Sequence, residues 1–307
     1  MQRVLVTGAN GFIGAAICAH LLAKGWAVTG SVRSEGSILN PAVEPLVTGP
    51  IDGETDWAKA LVGIDAVVHC AARVHVLRET ATDPLTAFRK VNVAASEGLA
   101  RQSVAAGVRR LVFLSSVGAA VAEQSPKRAS PYQRSKLEAE AALKAVTEGT
   151  ATSLVVLRPP LVYGAGAPGN FPRLAKAVTR GLPLPLASLR NRRSLLYLGN
   201  LVSAVEAALA ADTAPAMPLE LCDGDDISTP DLARRIGQLC GNPARLLPCP
   251  PALLRLAGAL TGRSAAVEAL TTSLTVDNGP ITLALGWRPP YSLQDGLTAS
   301  VAKPPEG

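Results

Sequence analysis

The 307-residue chain is 48% hydrophobic and 18% charged, which excludes a disordered polymer and leaves room for one large or two modest cores. Its net charge of +6 comes from scattered basic residues, clustered only at Arg109-Arg110 and at Arg190, Arg192 and Arg193, so anionic small ligands are expected before nucleic acid. Met1-Gln2-Arg3 runs directly into a strand, no apolar run matches a membrane span, and Cys18, Cys70, Cys222, Cys240 and Cys249 lack metal or redox spacing. The expectation is a cytoplasmic protein with reduced thiols, no metal, no membrane insertion and no nucleic-acid partner.

In chain order, Val4–Thr7 reads as a short buried strand, and the apolar-periodic stretch from Phe12 to Leu21 reads as a helix. The turn between them carries Gly8, Gly11 and Gly14. Gly8 permits a sharp reversal, Gly11 lets backbone approach a pyrophosphate, and Gly14 lets the helix pack closely on the sheet. The helix N-terminus then faces an anion. This is the dinucleotide fingerprint with one extra residue between its first two glycines. The second strand, Val28–Arg33, ends without the acidic residue that bonds the ribose hydroxyls of NAD. Ser31 holds that place and Arg33 follows, a pairing that suits a 2′-phosphate, so NADP is favoured over NAD.

Glu44–Val47 reads as a weak third strand and Asp56–Leu61 as a short helix. Ala66–Ala72 reads as a buried fourth strand, whose small end residues Ala71 and Ala72 leave space for a flat ligand. His69 and His75 read as packing or surface residues. A long helical segment runs from Asp83-Pro84 to Ala106 and is stopped by Gly107. Arg110–Ser116 is a fifth strand, Ser130-Pro131 caps a further helix, and Ser153–Arg158 is a sixth strand. This alternation requires a parallel sheet covered on both faces, a Rossmann-type doubly wound α/β fold over residues 1–160. After Pro159-Pro160 glycine- and proline-rich loops separate short helices, at Phe171–Arg180, Leu201–Ala211 and Thr229–Leu239. Residues 161–307 are expected to form a smaller α/β substrate-binding region, with some segments returning to the first sheet.

Tyr132 and Lys136 lie one helical turn apart and share a face. An ammonium beside a phenol favours the phenolate, and a bound nicotinamide's positive charge would add to it. The tyrosine could then exchange a proton with an alcohol while the nicotinamide exchanges hydride. Lys136 can also reach the nicotinamide ribose. Ser116, at the end of the preceding strand, would hold the substrate oxygen, and Ser115 is the neighbour most easily confused with it.

These motifs resemble the extended short-chain dehydrogenase/reductases acting on nucleotide sugars. The resemblance rests on Thr7 through Gly14 (with Asn10, Phe12 and Ile13), His69 through Ala72, Asn92, Ser115-Ser116 and Tyr132 through Lys136. Arg158-Pro159-Pro160, Val162-Tyr163-Gly164 and Arg193 through Leu201 continue it. It implies Ser116, Tyr132 and Lys136 as the catalytic set, Pro159 and Ile51 beside the cofactor, and Asn170 and Arg193 on the pyrophosphate side of the substrate. Pro50 stands where many relatives carry an acidic residue, so only Ile51 carries over there. Val117-Gly118 after Ser116 offer neither the Asp-Glu pair of the sugar 4,6-dehydratases nor the cysteine of the two-carbon epimerase-reductases. Shorter stretches, among them Asp65–His75 and Asn191–Tyr197, resemble reductases and epimerases acting at C4 of UDP-linked N-acetyl-6-deoxyhexosamines in surface-polysaccharide synthesis. The resemblance implies 4-keto reduction ahead of 4-epimerisation, a UDP-sugar substrate, and a homodimer formed through the Asp83–Ala106 and Tyr132–Val146 helices. A non-catalytic dinucleotide-binding sensor on the same fold is the competing reading.

Overall fold

A computed structural model describes residues 1–74, 82–262 and 264–301. β1 (Arg3–Thr7) buries four of its five residues, as a strand must when helices cover both faces of its sheet. It leads into α1 (Phe12–Ala23), and the chain returns parallel to β1 as β2 (Ala27–Val32), setting Thr7 opposite Ser31. There follow β3 (Glu44–Val47), β4 (Ala66–His69), α2 (Pro84–Arg89) and α3 (Ala95–Ala105). β5 (Arg110–Leu114), α4 (Val117–Gln124), α5 (Pro131–Thr147) and β6 (Ser153–Arg158) come next. Beyond them run β7 (Leu161–Tyr163), α6 (Asn170–Thr179), β8 (Arg193–Tyr197), α7 (Leu198–Ala210), β9 (Leu219–Glu220), β10 (Asp226–Ile227) and α8 (Thr229–Leu239). The described chain closes with α9 (Pro251–Leu260), α10 (Ser264–Thr271), α11 (Gly279–Leu285) and α12 (Leu293–Val301).

The main sheet has seven strands in the order β3-β2-β1-β4-β5-β6-β9, every pairing parallel. This is the Rossmann-type doubly wound α/β architecture that the alternation of elements predicts. Strand order reverses between β1 and β4, so the crevice for a ligand opens at the carboxyl ends of these two strands. The chain divides into two compact units. One comprises 1–160, 201–221 and 279–288; the other comprises 161–200, 222–278 and 289–307. Leu5, Trp57, Leu99, Phe113 and Leu143 stand at the heart of the first. In the second, a three-stranded sheet in the order β10-β8-β7 packs its core around Tyr163, Phe171, Ile236 and Leu297.

Several elements depart from the sequence-based expectation. Residues 58–63 form turns rather than a helix over Asp56–Leu61; the Trp57 backbone N–H donates to the Gln102 side chain at 2.7 Å, which fixes this segment to α3 instead. β4 ends at His69, because the Cys70 and Ala71 N–H groups both donate to the Thr7 hydroxyl at 3.1 Å rather than to a neighbouring strand. The long helix beginning at Asp83 is interrupted by a π turn at Lys90–Ala94, where Asn92 is turned inward. α4 was not expected at all; the Ser116 hydroxyl accepts from the Gly118 N–H at 3.0 Å and starts it as an N-cap. His75 lies outside the described residues.

Candidate active site

The glycine turn is shaped by contacts that leave no room for side chains. Gly8 has φ +67°, and a Cβ placed on Gly14 would stand 2.2 Å from the Gly8 carbonyl oxygen. The Ala9 N–H donates to the Ser31 carbonyl and the Gly11 N–H to the Gly8 carbonyl, each at 3.0 Å. α1 begins at Gly11 with no side-chain cap and no acidic residue in its first turn, so its positive end is left for an outside anion. Asn10 and Gly11 are exposed, while Phe12 and Ile13 are half-buried. A dinucleotide pyrophosphate fits this turn. Opposite it, Gly8 abuts Ala71, whose Cα would lie 3.1 Å from an added Cβ, and Ala72 is half-buried beside it.

At the end of β2, Ser31 is buried against β1 and Arg33 is exposed just beyond the strand. Ile51 is partly buried on the core around Trp57. Pro159 is buried at the end of β6, and its carbonyl accepts the Val117 N–H at 3.1 Å.

The structure brings Ser116, Tyr132 and Lys136 together at the carboxyl end of β5. A capping box at Ser130 and Gln133 starts α5 immediately before Tyr132. Burial holds the Tyr132 phenol above its usual pKa, with nearby Ser116 acting weakly in the opposite direction. The expected lowering by Lys136 is therefore not present in the protein alone. The Lys136 ammonium instead donates to the Leu114 carbonyl at 2.7 Å and lies 4.5 Å from the centre of the Phe113 ring. Burial lowers its own pKa to about 8. The neighbouring serines part ways: Ser115 donates to buried Glu140, whereas Ser116 faces Tyr132.

Two networks behind these residues escaped sequence reasoning. In the first, the Glu140 carboxylate receives Ser115 and a two-pronged contact from Arg158, with Nη2–Oε2 at 2.6 Å and Nε–Oε1 at 3.0 Å. In the second, His69 bridges the Thr7 hydroxyl at 2.7 Å and the Ser96 hydroxyl at 2.9 Å. Ser96 in turn donates to the Asn92 carbonyl, and the Asn92 side chain reaches the Ser135 hydroxyl at 2.9 Å and both backbone groups of Arg73. The glycine turn, the β4 tip and the helix carrying Tyr132 are thus pinned to one another. The TG step and the Tyr-x-x-Ser-Lys run hint at the ends of this network, but no spacing rule joins residues so far apart in sequence.

His69 is a packing residue, as the sequence suggests, and its burial carries a pH dependence. Desolvation lowers its pKa from 6.5 to about 3. Between those values the unfolded chain binds a proton that the folded chain refuses, so stability rises with pH there and is lost as pH falls. The contribution is about 3–5 kcal/mol. Urea midpoints from pH 7 to pH 4 should fall more steeply for the parent than for His69→Gln; equal slopes would refute this.

In the second unit, Asn170 heads α6 behind Gly169, which has φ +91°. Arg193 opens β8, half-buried, and its Nη1 donates to the Thr272 carbonyl at 3.0 Å. Sequence reasoning missed Asp223, which accepts from the Tyr163 hydroxyl at 2.8 Å and from the Tyr197 N–H and Asn200 side chain at 2.7 Å each. It locks β7 to β8. Among the described residues no helix is long and apolar enough to cross a membrane, and no group of three or more His, Cys, Asp or Glu could hold a metal.

A parallel sheet reversing at a glycine turn, with serine, tyrosine and lysine gathered at the next strand end, defines a Rossmann-like protein of the extended short-chain dehydrogenase/reductase type. The chain belongs to the NAD dependent epimerase/dehydratase family, whose family model matches residues 4–218. A UDP-glucose 4-epimerase of Vibrio cholerae is 34% identical over 96% of this chain and 93% of its own. The N-acetyl-alpha-D-glucosaminyl-diphospho-ditrans,octacis-undecaprenol 4-epimerase of Escherichia coli O157:H7 is 25% identical over 96% of this chain and 93% of its own. The crystal structure of the UDP-glucuronic acid 4-epimerase from Bacillus cereus, in complex with NAD, shares the fold with a TM-score of 0.77. It is 21% identical and covers 98% of this chain and 95% of that one.

Proposed function

We propose that the chain is a 4-epimerase acting on a UDP-linked hexose, with Tyr132 as the proton-transferring group, Ser116 as the holder of the C4 oxygen and Lys136 as the cation that tunes them. The observation that carries this reading is the gathering of Ser116, at the N-cap of α4, with Tyr132 and Lys136 of α5 at the carboxyl end of β5, where Lys136 donates to the Leu114 carbonyl at 2.7 Å, on the same sheet as the uncapped glycine turn. A nicotinamide dinucleotide, when bound, supplies hydride exchange with the sugar carbon and a positive ring charge. Gly8, Asn10, Gly11, Phe12, Ile13 and Gly14 would hold its pyrophosphate, and Ser31, Arg33, Ile51, Ala71, Ala72 and Pro159 would line its remainder. Tyr132 takes the proton from the C4 hydroxyl as that carbon is oxidised, and returns it when the opposite configuration forms. Ser116 keeps the oxygen in reach of Tyr132 throughout. Asn170 and Arg193 would meet the diphosphate of the substrate. Because Tyr132 and Ser116 address the sugar carbon alone, the same set would serve a diphosphate carried by uridine or by undecaprenol, the carrier named for the Escherichia coli relative.

The second reading is reduction of a UDP-linked 4-keto-6-deoxy-N-acetylhexosamine in surface-polysaccharide synthesis, preferred on sequence grounds. It is favoured by exposed Arg33 and by the missing carboxylate at the β2 exit, which suit NADP. The similarity to the Vibrio cholerae UDP-glucose 4-epimerase supports the epimerase, and the NAD dependent family description supports NAD. Releasing bound small molecules from freshly purified protein, then assaying UDP-glucose and UDP-N-acetylglucosamine, tests the choice. The expected result is stoichiometric NAD retained through dialysis and interconversion of C4 epimers with no net cofactor oxidation. NADPH consumed one-for-one with a 4-keto substrate would put the reductase first, and binding without turnover of any of these would favour the sensor. A homodimer through α2, α3 and α5 belongs to the same reading, and a strictly monomeric mass by light scattering would remove it.

A further inference from the structure

The second unit carries an apolar helix face that is exposed among the described residues. α9 follows a proline-rich lead, Pro248, Pro250 and Pro251, and its one buried residue is Gly258. A Cβ there would stand 2.7 Å from Val267 of α10, so the Gly258 side is the side turned inward. Helical geometry puts Leu253, Leu256, Ala257 and Leu260 together on the other side. These leucines are 56%, 56% and 80% exposed, and no charged residue interrupts that arc. Leu247, also half exposed, lies just ahead of the helix.

Basic residues outnumber acidic ones in the segments around this face, with Asp231 on α8 and Glu268 on α10 the nearest carboxylates in sequence. From Leu232 to Val267 the sequence contains five arginines and no Asp or Glu. From Leu161 to Asn200 it contains six Arg and Lys residues and again no carboxylate. On α6, Arg173, Lys176 and Arg180 recur at helical spacing and are all exposed. The segment leading to α9 is fastened to the end of α6: the Asn242 amide donates to the Thr179 carbonyl at 3.0 Å, and the Leu184 N–H to the Arg245 carbonyl at 2.8 Å. Exposed Arg180, Leu182, Arg245 and Leu247 therefore lie along one border of the unit.

We propose that α9, flanked by the basic residues of α6 and by Arg245, docks this protein on the surface of an anionic lipid bilayer, lying in the interface and not spanning it. Leucines on one helix face with arginine and lysine around them are what an interfacial helix needs: the apolar face enters the acyl boundary and the cations meet lipid phosphates. Hot spots of protein–protein interfaces are enriched in Trp, Tyr and Arg with leucine under-represented, and no aromatic residue occurs between Leu232 and Val267. The proposal rests on this face alone, independently of the reaction proposed above. It adds surface contact to the expectation of no membrane insertion, because α9 is too short to span a bilayer but long enough to lie on one.

The test is sedimentation of the full chain with phosphatidylethanolamine–phosphatidylglycerol vesicles and with neutral phosphatidylcholine vesicles. The parent should sediment with the anionic vesicles, more weakly with the neutral ones, and less as salt rises. The L253S/L256S/L260S variant should lose at least about tenfold in binding, with an unchanged melting temperature because these leucines are exposed. Should that variant fail to fold, R173E/K176E/R245E provides the same test through charge and should also release the protein. A parent that stays in the supernatant with anionic vesicles, or leucine and charge variants that bind as the parent does, would overturn the proposal. So would a light-scattering mass that falls in the leucine variant while the parent ignores vesicles, since the face would then be covered by a second copy.

Discussion

Replacing Tyr132 by phenylalanine is expected to lower turnover by about 10²–10⁴-fold, the range over which a positioned proton donor contributes, while leaving cofactor binding nearly unchanged. The ring still packs against Phe88, 6.1 Å away centre to centre, so only the hydroxyl and its transferable proton disappear. Ser116→Ala should lower turnover less, because the phenol remains. Lys136 makes the profile sensitive to pH: with its amine lowered to about 8, the ammonium is full below that value and lost above it. Turnover of the parent should therefore decline on the alkaline side as the ammonium that would hold the nicotinamide ribose loses its charge. Wild-type rates in Tyr132→Phe, measured with the epimers separated chromatographically, would remove Tyr132 from the reaction.

Removing Arg158 is expected to be the most damaging change away from the reacting groups. Its side chain is 9% exposed and that of its partner Glu140 only 6%. Arg158→Leu would leave the Glu140 carboxylate buried with Ser115 as its remaining close partner, at a cost of about 3–5 kcal/mol. Glu140→Leu together with Arg158→Leu removes both charges and should recover most of that loss, since the desolvation of the pair is no longer incurred. Urea unfolding of the two single variants and the double variant measures the coupling. Additive losses would mean that the pair is not the source of the effect. The cost also reaches the site, because Glu140 sits one turn after Lys136 on α5 and holds that helix to β5 and β6.

The sequence by itself determined the parts of this protein that depend on neighbours in the chain. Strand-turn-helix periodicity with glycines 8, 11 and 14 specified the parallel α/β fold, since buried parallel strands and their crossover helices are locally patterned. Ser130-Pro131 fixed the start of α5, and one helical turn put Tyr132 and Lys136 on one face. The family was legible for the same reason: its motifs are short and contiguous. What the sequence could not decide was where polar side chains point once the strands are assembled. Ser115 and Ser116 are adjacent and chemically alike, and only packing sends one to Glu140 and the other to Tyr132. The direction of the Tyr132 shift likewise depended on burial, which spacing does not reveal. Thr7, His69, Ser96, Asn92 and Ser135 are scattered over most of the first unit's chain, and their joining is a product of the sheet order β2-β1-β4-β5. The π turn at Lys90–Ala94 and the turns that replaced a helix after Trp57 have the same origin. In each, a long-range hydrogen bond outweighed a local preference worth a fraction of a kcal/mol per residue, about the size of helix propensities.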